Sequence, residues 1–187
     1  MHCADYLAEV VRIAAEIDPI HIEALATELA GIRTTRGRVF IIGLGGSAAN
    51  ATHMASDLRK LCDIDAYAFD NNAELTARAN DEGWETIFTG WLRFIDSGDA
   101  LLVLSVGGGT ETVSAPIVAA VQFAKDRGAL ILGIVGPHGG YTAQKANHVI
   151  RIPAPLERIT PHTEAFQAVV WHCLVSHPLL QKKSTVW

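Results

Sequence analysis

The chain has 187 residues, of which 49% are hydrophobic and 19% charged, a composition typical of a globular domain with a sizeable core. Its formal net charge of −5 argues against a nucleic-acid partner, because polynucleotide binding requires a basic surface. No apolar run is long enough to cross a membrane, and charges interrupt residues 1–18, where a signal peptide would be apolar. The cysteines Cys3, Cys62 and Cys173 are odd in number and widely spaced, which favours free thiols in a reducing cytoplasm.

Two amphipathic helical segments precede any strand. The first has apolar residues at helical spacing from Leu7 to Ile17 and is broken by Asp18-Pro19. The second covers residues 20–32 and is followed by a polar turn. Because both helices lie outside the later alternation of strands and helices, we interpret residues 1–36 as an arm. It packs either on the domain or against a second subunit.

The remainder, residues 37–187, alternates short apolar runs with helical segments. The predicted strands are residues 39–42, 64–69, 100–104, 129–135 and 148–152. Continuous apolar runs of this length are typical of parallel strands that are covered by helices on both faces. No repeat, low-complexity tract or Pro/Ser-rich linker divides the chain. We therefore predict a single α/β domain with a five-stranded parallel sheet.

A glycine loop follows the first predicted strand and opens an Ala-rich helix. Gly45, Gly46 and Ser47 would present unpaired backbone N–H groups at the positive end of the helix dipole, a favourable place for phosphate or carboxylate. Further along, His53 and Asp57 stand four residues apart and share a helix face, where they can bind a metal or transfer protons. The plainer alternatives are a tight turn for the loop and a surface histidine for His53.

A second glycine loop, from Ser105 to Thr110, follows the third predicted strand. In open parallel sheets, ligands bind beyond the carboxyl ends of the strands, where the strand order reverses. Two glycine loops at that edge therefore predict one shared site, with a phosphate held between them. Neither loop carries the Gly-Lys-Ser/Thr of a nucleotide P-loop, and neither fits the dinucleotide-binding fingerprint well.

Residues 43–58, which contain the first loop and its helix, closely resemble the glycine–serine loop of the phosphoheptose isomerases. These enzymes are sugar isomerase (SIS) domain proteins. Residues 75–88 resemble the second signature of that family, and residues 98–110 have the position of its phosphate loop. The resemblance extends over essentially the whole chain, and it implies a three-layer, flavodoxin-like SIS fold.

The same resemblance implies an activity. Phosphoheptose isomerases convert the ketose sedoheptulose 7-phosphate into an aldose of the D-glycero-D-manno-heptose 7-phosphate type, through an enediol. The family also implies a homotetramer and a divalent metal, most often Zn²⁺.

Individual residues acquire expected roles from the resemblance. The metal ligands would be His53, Asp57, Glu164 and His172, a set of two imidazoles and two carboxylates that suits zinc. Asp57 and His172 would also act as the acid–base groups. The residues expected to bind the sugar phosphate are Gly45, Gly46, Ser47, Asp57, Asn80, Asp81, Ser105, Thr110 and Glu164.

The chain departs from the family pattern at several of these positions. Asp57 and Glu164 stand where the family usually has glutamate and glutamine, and residues 106 and 107 lack the hydroxyl groups of its phosphate loop. His172 stands among apolar residues, as a core histidine would, and Glu164 has the position of an ordinary first-turn acid. The alternative to an isomerase is a non-catalytic SIS module that binds a phosphosugar or a protein partner as a regulator or scaffold.

Overall fold

The computed structural model describes residues 1–184, which form a five-stranded sheet with helices on both faces. The strands are β1 (Arg38–Ile42), β2 (Asp65–Ala68), β3 (Ala100–Ser105), β4 (Leu130–Val135) and β5 (His148–Arg151). The helices are α1 (His2–Glu16), α2 (Pro19–Thr35), α3 (Gly46–Cys62), α4 (Asn72–Asp81), α5 (Ile87–Trp91), α6 (Ala115–Asp126), α7 (Gly140–Lys145) and α8 (Ile159–Val175). The five predicted strands are confirmed. Within residues 1–184, no helix combines the length and the apolarity needed to span a bilayer.

All strands are parallel, in the order β2-β1-β3-β4-β5. After β1 the chain forms β2 on one side of β1 and then β3 on the other side. The order therefore reverses between β1 and β3, and the carboxyl ends of these two neighbouring strands carry the two glycine loops. Ligands of open parallel sheets bind at such a reversal.

Successive strand residues point into two different apolar cores, one on each face of the sheet. In β1, Val39 and Ile41 belong to a core shared with α2, α3 and α8, whereas Phe40 and Ile42 belong to one shared with α5 and α6. All six residues of β3 are buried, which explains its uninterrupted apolar sequence. The two cores define the three layers of the predicted fold.

The N-terminal arm, α1 and α2, packs on the same face of the sheet as α3 and α8. Ile13 of α1 and Leu25 and Leu29 of α2 are completely buried in that core. Leu7 and Val11 of α1, by contrast, are 63% and 71% exposed. Within the single chain the arm packs on the domain, and an apolar face of α1 remains exposed.

A buried ion pair fixes the amino ends of β1 and β3. Asp99 is 3% exposed and accepts hydrogen bonds from the Arg38 side chain and from the N–H groups of Arg38 and Asp96. Burial raises the pKa of Asp99, but these hydrogen bonds lower it more, so that it lies below the ordinary value of 3.8. The ionised carboxylate therefore stabilises the fold.

Replacing Asp99 by alanine should lower the free energy of unfolding by about 2–3 kcal/mol, because Arg38 loses its buried partner. Asp96→Ala is the matched control: Asp96 is 3.8 Å from the same guanidinium but 71% exposed, so its loss should cost less than about 1 kcal/mol. Urea denaturation measures both losses, and equal losses for the two variants would contradict the assignment of Asp99 as the buried partner.

The contribution of Asp99 to stability also depends on pH. Since the pKa of Asp99 is lower in the folded state, its contribution is present above pH 4 and is lost as the pH falls through the folded pKa.

Candidate active site at the α3–α8 seam

The first glycine loop joins β1 to α3 and allows close approach of the backbone. Gly45 is the N-cap of α3 and has a φ of 61°, a left-handed conformation that glycine adopts without strain. A Cβ on Gly46 would overlap the carboxylate of Glu164. Ser47 is buried, and its hydroxyl has no hydrogen-bond partner among residues 1–184. A buried unpaired hydroxyl beside the free N–H groups of a helix end favours a ligand here.

The second glycine loop uses its hydroxyl side chains internally. Ser105 Oγ accepts a hydrogen bond from the N–H of Gly108 at 3.0 Å. Thr110 Oγ1 accepts one from the N–H of Val113 at 2.9 Å and donates to the carbonyl of the same residue at 3.2 Å. Ser105 and Thr110 therefore shape the loop. The donors left for a ligand are backbone N–H groups and the Ser105 O–H, which donates no hydrogen bond within residues 1–184.

Three of the four predicted metal ligands converge where α3 contacts α8. One ligand atom from each of His53, Asp57 and His172 lies within 4.8 Å of the other two. Asp57 is half-buried and both histidines are exposed, with His53 Nε2 3.7 Å from Asp57 Oδ2. Two imidazoles and one carboxylate are a donor set of catalytic zinc sites, in which a fourth position stays open for water or substrate.

Neighbouring groups orient both imidazoles of this cluster. His172 Nδ1 is 2.8 Å from the carbonyl oxygen of Ala168, one turn earlier on α8. Because a carbonyl can only accept, Nδ1 donates this bond and Nε2 keeps its lone pair for a ligand. The ring of His53 contacts the indole of buried Trp171 edge to face, with centroids 4.6 Å apart. The donor set and the oriented rings fit a divalent metal.

Glu164 does not join this cluster. Its carboxylate lies against Gly46, at the N-terminus of α3. Glu164 is not among the residues whose ligand atoms lie within 4.8 Å of one another. Of the four ligands expected around one ion, the structure brings three together, and it places Glu164 at the first glycine loop.

The predicted sugar-binding pair, Asn80 and Asp81, lies exposed at the end of α4. Asn80 Nδ2 donates to Asp81 Oδ1 at 2.7 Å. Within residues 1–184, no hydrogen bond or ion pair joins either residue to the glycine loops or to the three-residue cluster. Their predicted role has no geometric support in a single chain.

The chain is similar to known proteins along most of its length. The SIS domain model matches residues 5–136. The phosphoheptose isomerase of Pelodictyon phaeoclathratiforme is 31% identical over an alignment of 189 positions that covers 94% of this chain and 82% of that protein. That of Chlorobaculum parvum is 32% identical, covering 94% and 83%. This chain belongs to the phosphoheptose isomerase family of SIS-domain proteins.

A solved structure shares the fold along nearly the whole chain. The phosphoheptose isomerase from Neisseria gonorrhoeae superposes with a TM-score of 0.84 and is 25% identical, covering 93% of this chain and 95% of that one. The family and the SIS fold predicted from the glycine loops are thus confirmed.

In this phosphoheptose isomerase family member, Asn50 joins the two helices of the site. Its Nδ2 group donates to the Glu164 carbonyl at 2.9 Å and to Gln167 Oε1 at 3.1 Å. Gln167 is completely buried. Sequence analysis did not single out either residue. The available signal was a glutamine on an otherwise apolar helix face, since a buried amide needs a fixed partner.

A second unforeseen contact joins the arm to the start of α8. His162 is completely buried, with Nε2 2.8 Å from Glu9 Oε2, and the Arg158 guanidinium also pairs with Glu9. Hydrogen bonds from Arg158 and His162 lower the pKa of Glu9 from 4.5 to about 2. The contact joins residues 153 positions apart, so that no local pattern reveals it.

We expect purified protein to bind one Zn²⁺ per chain, and the His53→Ala/His172→Ala double variant to lose more than about 90% of it, because one carboxylate alone binds zinc weakly. Glu164→Ala should keep its zinc. Metal content after dialysis, measured by inductively coupled plasma mass spectrometry, checks both.

The control is His21→Ala/His148→Ala, which removes two histidines that lie outside the cluster. Full zinc occupancy in the His53/His172 variant, or loss of zinc in Glu164→Ala, would contradict the three-ligand site.

Proposed function

We propose that this protein is a ketose–aldose isomerase that converts sedoheptulose 7-phosphate into an aldose of the D-glycero-D-manno-heptose 7-phosphate type. The observation that carries the proposal is the convergence of His53 and Asp57 of α3 with His172 of α8, below the first glycine loop. From Gly46 to His53 the axis of α3 advances about 10 Å. This span suits a seven-carbon phosphosugar whose reacting carbons lie at the cluster. The relatives are named phosphoheptose isomerases, which supports a phosphorylated seven-carbon sugar as the substrate.

The reaction requires a base near the reacting carbons. The base removes a proton from C1 of the ketose while the carbonyl oxygen on C2 gains a proton, which gives the enediol. Return of the carbon proton to C2 and loss of the proton on O1 give the aldose. Because the cluster is open to solvent, water can exchange the proton between the two sugar oxygens.

The orientation of His172 decides which residue acts as the base. Its Nδ1 donates a hydrogen bond to the Ala168 carbonyl, so only the lone pair of Nε2 is available. Nε2 cannot bind a metal and accept a proton at the same time. Asp57 has two oxygens, one of which stays available when the other is a ligand. We therefore assign the carbon proton to Asp57 in the metal-bound enzyme, and a ligand role to His53 and His172. The metal, when bound, polarises the substrate carbonyl.

The competing function is a non-catalytic phosphosugar-binding or scaffold module. One observation favours it: the second loop has few side-chain donors for a phosphate, because the Thr110 O–H donates to Val113 and residues 106 and 107 have no hydroxyl. The three converging ligands favour the enzyme, since a scaffold has no need of them. Incubation with sedoheptulose 7-phosphate, with and without added zinc, distinguishes the two, because only the isomerase forms the aldose.

Asp57→Asn should lower kcat by about 10²–10⁴-fold, the usual contribution of a general base. His172→Ala should instead weaken zinc affinity by about 10–100-fold, and excess zinc should restore much of its turnover. Aldose formation followed against zinc concentration measures both, with His21→Ala, which changes an exposed histidine of α2, as the control. If excess zinc restores Asp57→Asn but not His172→Ala, the two roles are reversed.

We also propose that the chain assembles as a homotetramer through the arm. Leu7 and Val11 expose an apolar face of α1, and Val169 of α8 is 55% exposed. Apolar faces of this kind are commonly covered in symmetric assemblies.

Leu7→Lys/Val11→Lys should dissociate the assembly, because burying two ammonium groups opposes association. Light scattering after size exclusion, at micromolar chain concentration, gives the mass. Arg12→Ala changes an exposed polar position of the same helix and should leave the mass unchanged. A wild-type monomer would refute the assembly.

A further inference from the structure

The indole of Trp171 contacts both imidazoles of the three-residue cluster. Its ring is stacked on that of His172, with centroids 3.5 Å apart and an angle of 29° between the planes. It meets the ring of His53 edge to face, with centroids 4.6 Å apart and an angle of 61°. The two imidazole planes are themselves perpendicular, at 90°. One side chain therefore sets the relative orientation of two ligands that come from different helices.

The indole is fixed by packing, whereas the two ligands are not. Trp171 is 1% exposed and belongs to the apolar core that α3 and α8 share. The His53 side chain is 59% exposed, and His172 is exposed as well. Exposed side chains change rotamer within nanoseconds, and ordering them when a metal binds weakens the binding. Because both imidazoles lie against a fixed indole, this loss is smaller for each of them.

Packing alone does not account for an indole at this position. The Nε1–H group of Trp171 is buried and has no hydrogen-bond partner among residues 1–184. A buried unpaired donor costs free energy, and an apolar side chain would fill the space without that cost. What the indole adds is its electron-rich face, which attracts cations more strongly than the ring of phenylalanine does. An imidazole bound to a divalent metal carries part of the positive charge, and the ring of His172 is stacked on the indole.

We propose that Trp171 is a positioning residue for the divalent metal. It holds His53 and His172 at a fixed crossing angle, and it stabilises the positive charge that a bound metal places on His172. In this role Trp171 binds neither the metal nor the substrate, and it acts on metal affinity through the two imidazoles. The proposal rests on the three-ligand site of the proposed function, and it adds to that site a residue that increases affinity without being a ligand.

The first test measures the zinc affinity of the intact protein by competition with a chromophoric chelator. Trp171→Phe should bind zinc about two- to fivefold more weakly, the loss expected when a cation–π contact near the surface is weakened, and Trp171→Leu should lose more. Trp91→Phe is the matched control. It makes the same change in the core on the other face of the sheet, where Trp91 contacts Phe40 and Phe69, and it should keep the wild-type affinity. A general loss of stability would affect both phenylalanine variants.

The second test needs no substitution at Trp171 in the protein that is measured. The chain has four tryptophans, and labelling with 5-fluorotryptophan gives each of them a fluorine NMR resonance. The resonance of Trp171 is identified by its absence from Trp171→Phe, and that of Trp91 by its absence from Trp91→Phe. Adding zinc should shift the Trp171 resonance and leave the Trp91 resonance in place, because only the first indole touches the ligands.

The outcomes separate this role from the site and from the reaction. Unchanged zinc affinity in both Trp171 variants, or a Trp171 resonance that zinc does not move, would overturn the positioning role and leave the three ligands in place. A wild-type protein that binds no zinc would overturn the site and this role together. If affinity and resonance change as expected but no aldose forms from sedoheptulose 7-phosphate, the positioning role stands and the proposed reaction fails.

Discussion

The parallel packing of α3 against α8 sets every distance in the candidate site. Both helices start at the carboxyl edge of the sheet and run in the same direction, so that residues at equal depth face each other. Glu164 meets Gly46 at the top, Gln167 meets Asn50 one turn below, and His172 meets His53 below that. Since each turn advances about 5.4 Å, the seam separates a loop suited to a ligand from a cluster suited to a metal. Asn50 lies between the two and connects the helices that carry them.

Much of this architecture was predictable because its signals are local. Continuous apolar runs and the glycines that follow them place the five strands and the two loops, and the spacing of His53 and Asp57 places two ligands on one face. The ligand role of Glu164 came from the family resemblance, and the structure places its carboxylate at the first glycine loop because the start of α8 packs against the start of α3. The Glu9–His162 contact and the Asn50–Gln167 bond depend on long-range packing, which no short window of sequence contains.

In the second glycine loop, backbone N–H groups are the main hydrogen-bond donors, because few side-chain donors are available there. Residues 106 and 107 have no hydroxyls, the Thr110 O–H donates to Val113, and Ser105 Oγ accepts from Gly108. Donors on the main chain do not titrate and lose little conformational freedom on binding, so the shape of the loop suits an anion. Its position is held from outside, because Thr142 of α7 donates to the Gly108 carbonyl at 2.7 Å.

The pairing of Glu9 with Arg158 and His162 makes α1 part of the structure that supports α8, which matters when the N-terminus is shortened. Hydrogen bonds from Arg158 and His162 lower the pKa of Glu9 to about 2, so Glu9 is ionised at neutral pH and is charged for the contact between α1 and the start of α8. Trimming the first helix, a common step to aid crystallisation, would leave buried His162 without its carboxylate. The truncation would therefore destabilise α8, which carries Glu164 and His172, although none of the removed residues lies near them in sequence.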